Sequence, residues 1–301
     1  MKAFKFLSNT ALVFSLALLA SCSSDNDFDA EKEAEAKITA RKIEFKANIV
    51  LGDSTDVTRA TLEDDYTVTW DENDQILVYC DNADQAVNFG ITPSSIDGKT
   101  AYFTNYGEEL PMWFDPEGWY YALYPSASQT TFDPEYNRIT SLLPTNQKVS
   151  AGRTYDKKAL MMAACADKDE RVFNFRNVPA LIKVTLTNNN DGKVKFVEII
   201  ADNKSNKLSG NFDIIPNYYG INFYSASTAQ KKHTVKLEVP ANEESVDYYL
   251  AVLPVTITDG FTIKFEDKEG LVVFDRHSSK RSELKRSKIY DFGSFDVAAE
   301  K

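Results

Sequence analysis

Histidine and cysteine are scarce in this 301-residue chain, with two of the first and three of the second. These residues most often ligate metals or carry protons and nucleophilic chemistry, so their scarcity leaves little for a catalytic pattern to be built from. No HExxH, GxSxG or paired CxxC occurs. His233 and His277 each stand alone in a polar stretch near a strand end, which is the placement of surface residues and not of a dyad or a metal pair. "DGKT" at 97–100 ends like a phosphate-binding loop, but Pro93 occupies the place of the glycine required five residues before Gly98. "DNDFDA" from Asp25 alternates acids as a calcium loop does, yet Ala30 replaces the turn glycine and Ala36 the terminal bidentate glutamate. The pattern points away from an enzyme and offers no metal or cofactor site.

A long apolar run is also missing. The longest, Ala11 to Ala20, is interrupted by Ser15 and is too short to span a bilayer. With Lys2 and Lys5 before it, it fits a secretory signal over residues 1–21. It ends in "LLASC", which resembles the lipobox of bacterial lipoproteins and makes Cys22 the expected lipid-bearing residue. Residues 22–37, "CSSDNDFDAEKEAEAK", hold almost nothing to bury and read as an acidic, solvated tether. A short acidic stretch behind the lipidated cysteine resembles surface-export signals of some Gram-negative lipoproteins. The expected destination is an exported lipoprotein on the outer face of the outer membrane.

Excess positive charge is absent too: the formal net charge is −11, and removal of residues 1–21, with two lysines and no acid, takes it to −13. Such a surface does not suit nucleic acid. Beyond Cys22 only Cys80 and Cys165 remain. They either pair in an oxidising compartment or stay as two buried thiols; 85 residues of separation fix no geometry.

What is abundant is strand pattern. The composition is globular, at 43% hydrophobic and 26% charged, and rich in Tyr and Phe, which favour strands. In "KIEFKANIVL" the residues Ile43, Phe45, Ala47, Ile49 and Leu51 face one way and the polar residues the other, a half-buried strand. Further strands are expected at 66–70, 75–80, 119–124, 180–186, 234–239, 248–253, 261–265 and 271–274, separated by turn sequences such as "DPEG" and "NNNDGK". The best helical candidate, 156–169, reads equally as strand and loop. The expectation is an all-β chain of two tandem antiparallel β-sandwich domains, 38–165 and 166–301, divided at "ADKDER" (166–171).

Two local concentrations stand out. Aromatic residues crowd 102–136; most are expected in the core, while Trp113 and Phe114, in the Pro-flanked "LPMWFDPEG", are the expected exposed pair able to stack on a sugar. The run 276–288 sets six Lys or Arg against one acid. It reads as a solvated loop, or as a contact for an anionic surface on a neighbouring subunit or lipopolysaccharide.

The order of lipobox, tether, first strand, "TRAT", "YTVTWDENDQILVY", "YYALYP", "FNFRNVPALIKVTL", "YYLAVLPVTITDGFTIKFEDKEG" and "KIYDFGSF" resembles the fimbrillin family, the precursor subunits of type V pili. It departs at "FNFRNV", where many relatives carry a histidine near Arg176–Asn177. The resemblance implies transthyretin-like sandwiches and a cut by an arginine-specific protease, here between Arg59 and Ala60. That cut would release the strand holding Ile43, Phe45, Ala47, Ile49 and Leu51, and a strand of another pilus subunit would fill the gap. Only "SFDVAAEK" follows Gly293, a short donor, so of the places implied in a fibre that supports adhesion, tip, anchor or stalk, it favours the tip or anchor. The competing expectation is a permanently anchored lipoprotein of the same fold that binds a glycan or another ligand through 111–118.

Overall fold

Alternation with a period of two runs through most of the chain, and the backbone follows it. The computed structural model describes residues 43–50, 68–92, 95–105, 110–115, 117–127, 129–224 and 231–299, and among these there is no α-helix. The strands in the first half are β1 (Glu44–Ile49), β2 (Gln75–Cys80), β3 (Ala86–Ile91), β4 (Thr100–Thr104), β5 (Tyr120–Tyr124), β6 (Thr131–Asp133), β7 (Arg138–Leu143) and β8 (Asn146–Lys148). Then come β9 (Met162–Ala166), β10 (Val172–Asn177), β11 (Ala180–Thr187), β12 (Phe196–Ala201), β13 (Ser209–Asn217), β14 (Gly220–Tyr224) and β15 (Lys231–Lys232). The last are β16 (Thr234–Glu238), β17 (Val246–Val252), β18 (Val255–Ile257), β19 (Phe261–Glu266), β20 (Val272–Ser278), β21 (Ser282–Leu284) and β22 (Ile289–Asp296).

The all-β expectation holds, but the first half does not form an open sandwich. Its strands close into a barrel in the order β1-β10-β9-β5-β2-β3-β4. Closure comes from β1, antiparallel to β4 on one side and parallel to β10 on the other. Alternation looks the same along an open sheet and a closed one; the difference lies in a pairing between residues more than a hundred positions apart, which no local pattern reports.

Around the barrel lie a four-strand path β14-β13-β7-β6, a three-stranded sheet β17-β11-β22 and a five-stranded sheet β20-β19-β12-β16-β8. In the three-stranded sheet, β11 and β17 send side chains into both cores. Ile182, Val184, Tyr248 and Leu250 enter the core shared with the five-stranded sheet, whereas Leu181, Tyr249 and Ala251 join the barrel-side core. This is why "ALIKVTL" reads as a nearly continuous apolar run. The stretch 166–171 connects β9 to β10, both barrel strands, and the second core starts at Ala180. Strands β7 and β8 pair with β13 and β16, so two of the sheets draw on both halves of the chain.

Three local expectations are changed or resolved. Residues 68–70 are not a strand; Val68 and Trp70 are buried in a loop, the Trp70 indole donating to the Lys99 carbonyl at 3.0 Å. Residues 162–166 of the helical candidate form β9, whose five residues are all buried, so no alternation betrays the strand. The basic run 276–288 is divided among the end of β20, β21 and the turn into β22, with Arg286 donating to the Asn177 carbonyl at 2.6 Å.

The two thiols are free and buried. Cys80 sits opposite Tyr120 and Cys165 opposite Tyr121, with β5 between them. Consecutive residues of β5 face opposite ways, so the thiols project from opposite faces of the sheet, two strand spacings or about 9.5 Å apart. No disulfide spans that. Burial pushes the Cys165 thiol up to about 11. We predict that a Cys22→Ser chain unfolded in denaturant without reductant titrates two thiols and that the native protein reacts only slowly; no titratable thiol after unfolding would contradict the register.

Candidate functional site

Strand β1 earns its position residue by residue. Alternation in "IEFKANI" puts Ile43, Phe45, Ala47 and Ile49 on one face, and the barrel interior receives them all, with Phe45 and Ala47 fully buried. Phe45 is a hub: it meets Phe89 edge-on at 5.1 Å, Tyr120 edge-on at 4.9 Å and Phe173 in a stacked pair at 4.7 Å. Its neighbour Ala47 lies in register with Ala101 on β4 and Phe173 on β10, where small residues leave room for the phenyl ring. On the outer face Asn48 clasps both neighbours, donating to Asn174 Oδ1 and accepting from Thr100 Oγ1, each at 3.1 Å. Backbone bonds run to both sides: Lys46 N to Arg171 O at 3.1 Å, Val50 N to Phe175 O at 2.8 Å and Ile49 N to Lys99 O at 2.8 Å.

The chain is fixed again where it returns. Trp70 packs edge-on against Phe103, Tyr124 and Phe175 at 5.0, 5.3 and 5.5 Å. Just beyond, Arg153 bonds Asp71 at 2.6 Å, Lys157 bridges to buried Asp74 at 2.7 Å and also pairs with Asp71, and the Tyr124 hydroxyl donates to Asp74 at 3.1 Å. Burial raises the Asp71 carboxyl, but hydrogen bonds from Lys157 and Arg153 outweigh it and hold the carboxyl below its ordinary value. Burial likewise works against the Lys157 ammonium, and its two carboxylate partners raise it nonetheless. Inside the barrel, burial pushes the Tyr120 phenol up to about 12.

This arrangement is mechanical. A closing strand is held between β4 and β10, and the described chain resumes at Val68–Trp70, which is packed against the barrel; the covalent link between the two is the segment 51–67. A cut anywhere in that segment leaves β1 attached to the barrel by non-covalent contacts alone.

Of the residues expected from sequence, Ile43, Phe45, Ala47 and Ile49 come together in the barrel interior. Leu51, Cys22, Arg59 and Ala60 lie outside the described residues. Phe114 is a correction: it is buried and stacked on Tyr120 at 5.6 Å, and Trp113 is half-buried against the same core. The loop folds inward over the aromatic barrel, and it is Met112 and Trp119 nearby that stay exposed. Trp70 and the Asn48 clasp are site residues that strand periodicity does not single out; a polar residue with neighbours on both sheet partners shows only once the register is known.

No family model matches the chain, and no curated protein matches it. Among solved structures, a "putative cell adhesion protein" from Bacteroides ovatus aligns over 86% of this chain and 93% of its own, at 16% identity and TM-score 0.47. A fimbrial assembly protein from Parabacteroides distasonis aligns over 83% and 90%, at 11% and 0.39. A fimbrial protein from Bacteroides ovatus aligns over 76% of this chain and 46% of its own, at 16% and 0.32. Identity and TM-score are both too low to carry a function across.

Two outcomes follow from the geometry. Phe45→Ala removes the hub ring and should cost about 3–5 kcal/mol in chemical unfolding; a loss under about 1 kcal/mol would show that the barrel does not lean on this strand. Asp71→Asn should cost on the order of 1 kcal/mol at pH 7. Because the folded carboxyl titrates below its unfolded value, its contribution is present above about pH 4 and lost as pH falls through the folded value. The gap between wild type and Asp71→Asn should therefore narrow as pH falls below about 4, and a gap that stays constant on further acidification would contradict the assignment.

Proposed function

We propose that the chain is a fimbrillin-like subunit of a surface fibre of the type V pilus class, made as a lipoprotein precursor and assembled by strand exchange in support of adhesion. In this reading Cys22 carries the lipid and sorts the precursor to the outer membrane. An arginine-specific protease cuts between Arg59 and Ala60, in the polar, proline-free stretch "GDSTDVTRAT". Strand β1 leaves with the N-terminal piece, and an extended segment of a neighbouring subunit enters between β4 and β10.

The observation that carries the reading is the barrel closure: a single strand, hydrogen-bonded on both sides, is joined to the remainder only through 51–67. Its departure would uncover two rows of unpaired backbone groups and an aromatic groove, both costly to leave bare. Ile43, Phe45 and Ile49 alone represent roughly 5–8 kcal/mol of burial. A replacement strand returns that energy if it alternates apolar residues in the same register, which is β-augmentation. The Trp70 packing and the Asp71–Arg153–Lys157–Asp74 pairs hold the new end of the chain in place after the cut.

At the other end, β22 already runs parallel to β11, and Phe295 and Val297 are buried in the chain's own second core. Donating that segment would empty a core, so β22 itself is not available as a donor strand. The experiment is the N-terminal sequence and intact mass of the protein recovered from the cell surface. We expect a chain starting at Ala60, and Arg59→Ala to block the cut. Recovery of a lipidated chain that still contains 43–49 would instead mean a permanently anchored binding lipoprotein or an anchor subunit.

A further inference from the structure

Away from the barrel, the two sheets that enclose the second core differ in width. Strand β22, at the end of the three-stranded sheet, lies over β19: Phe292 stacks on Phe261 with ring centres 4.2 Å apart, and Phe295 meets Phe265 at 4.6 Å. The five-stranded sheet runs one strand further, to β20, and among the described residues no strand continues past β22 to face it. The space left is a groove of about 390 Å³ between β20 and β22, floored by Phe261, Ile263, Phe292 and Phe295, with Arg276 and Lys280 exposed at its rim.

Both strands that border the groove are sheet edges. For β22 the free side can be read from its pairing. The Leu181 N–H donates to the Lys288 carbonyl at 2.9 Å, while Leu181 itself lies opposite Ile289. In a parallel ladder this turns the N–H and C=O of Tyr290 toward β11 and those of Ile289 and Asp291 to the other side, where no described strand pairs. A row of this kind is a template for an added strand. The charge around the groove has one dominant sign. Its carboxylate, Asp291, is held by Lys183 at 2.9 Å. The groove lies on the run 276–288, which sets six Lys or Arg against one acid in a chain whose net charge is −11.

We infer that this groove docks an extended acidic segment of a partner protein, added as a strand to the free edge of β22. Its main chain would pair with Ile289 and Asp291, its apolar side chains would cover the phenylalanine floor, and its carboxylates would meet Arg276 and Lys280. The free backbone edge selects a peptide over a lipid or a polysaccharide, since neither of those repeats N–H and C=O groups at strand spacing. The sign of the rim selects an acidic one. Strand β1 and its partners belong to the barrel, so the inference does not rest on strand exchange.

The probe is a fluorescein-labelled peptide, Glu-Val-Glu-Phe-Glu-Val, and the readout is its anisotropy on titration with the full chain. Saturable binding tighter than about 1 mM is expected, with the peptide that carries Lys in place of Glu about tenfold weaker. The double reversal Arg276→Glu with Lys280→Glu should weaken binding about tenfold. The same change of charge in Lys148→Glu with Lys158→Glu, by β8 at the opposite edge of the five-stranded sheet, should alter it less than about twofold. N-methylation of alternate peptide amides separates a ladder from charge attraction alone: one alternate set faces β22 and should abolish binding, the other faces away and should spare it. No saturable binding, equal binding of the Glu and Lys peptides, equal losses in the two double reversals, or equal binding of the two N-methylated sets overturns the inference. So does a reversed Arg276 and Lys280 variant that self-associates where the wild type binds no peptide, which would make these charges guards of a bare edge.

Discussion

Hydrogen bonding on both sides of β1 is the constraint on which the first half of the molecule depends. With it in place, seven strands close and the barrel has no edge; without it, β4 and β10 each expose a row of unpaired N–H and C=O groups, and the ring cluster around Phe45 opens to water. Packing sets how strongly the position must be filled. The aromatic residues of β3, β5 and β10 converge on Phe45, while Ala47 leaves space beside Phe173. Any strand that takes this position has to reproduce that order of large and small residues, and its polar face has to satisfy Asn174 and Thr100 as Asn48 does.

The remainder of the fold is arranged so that it does not lean on β1 in the same way. The sheet β17-β11-β22 contributes residues to both cores and links them, and β7, with β6 beside it, and β8 join sheets whose remaining strands come from the second half. Trp70 and the ion pairs at Asp71 and Asp74 tie the first residues after the 51–67 segment to the barrel wall and to the 150–157 loop. A strand can therefore be strongly held and still be separable: its contacts are extensive, but its covalent connection is one segment.

Much of this is legible in the sequence. "KIEFKANIVL" announces a half-buried strand by alternation alone, and β2, β5, β11, β16, β17 and β19 fall on or within two residues of the runs expected to form them. Barrel closure was not legible, because it rests on Lys46–Ile49 meeting Val172–Phe175 across the chain, and alternation carries no record of which strand lies alongside. Strand β9 hid because "MAACA" is buried on both faces and has no polar phase. Phe114 was misplaced for a related reason: a loop bracketed by prolines is polar at its ends, and nothing local says that its middle folds back onto Tyr120.

The most direct measurement is amide hydrogen exchange on a chain that begins at Ala60, with and without a synthetic peptide of residues 42–51 added in trans. If β1 is a separable closing strand, the truncated chain keeps its protection in β11, β12 and β17 but loses it in β4 and β10, and the peptide restores it there. Equal protection of β4 and β10 with and without the strand would contradict the account, as would collapse of protection throughout the molecule once the strand is gone.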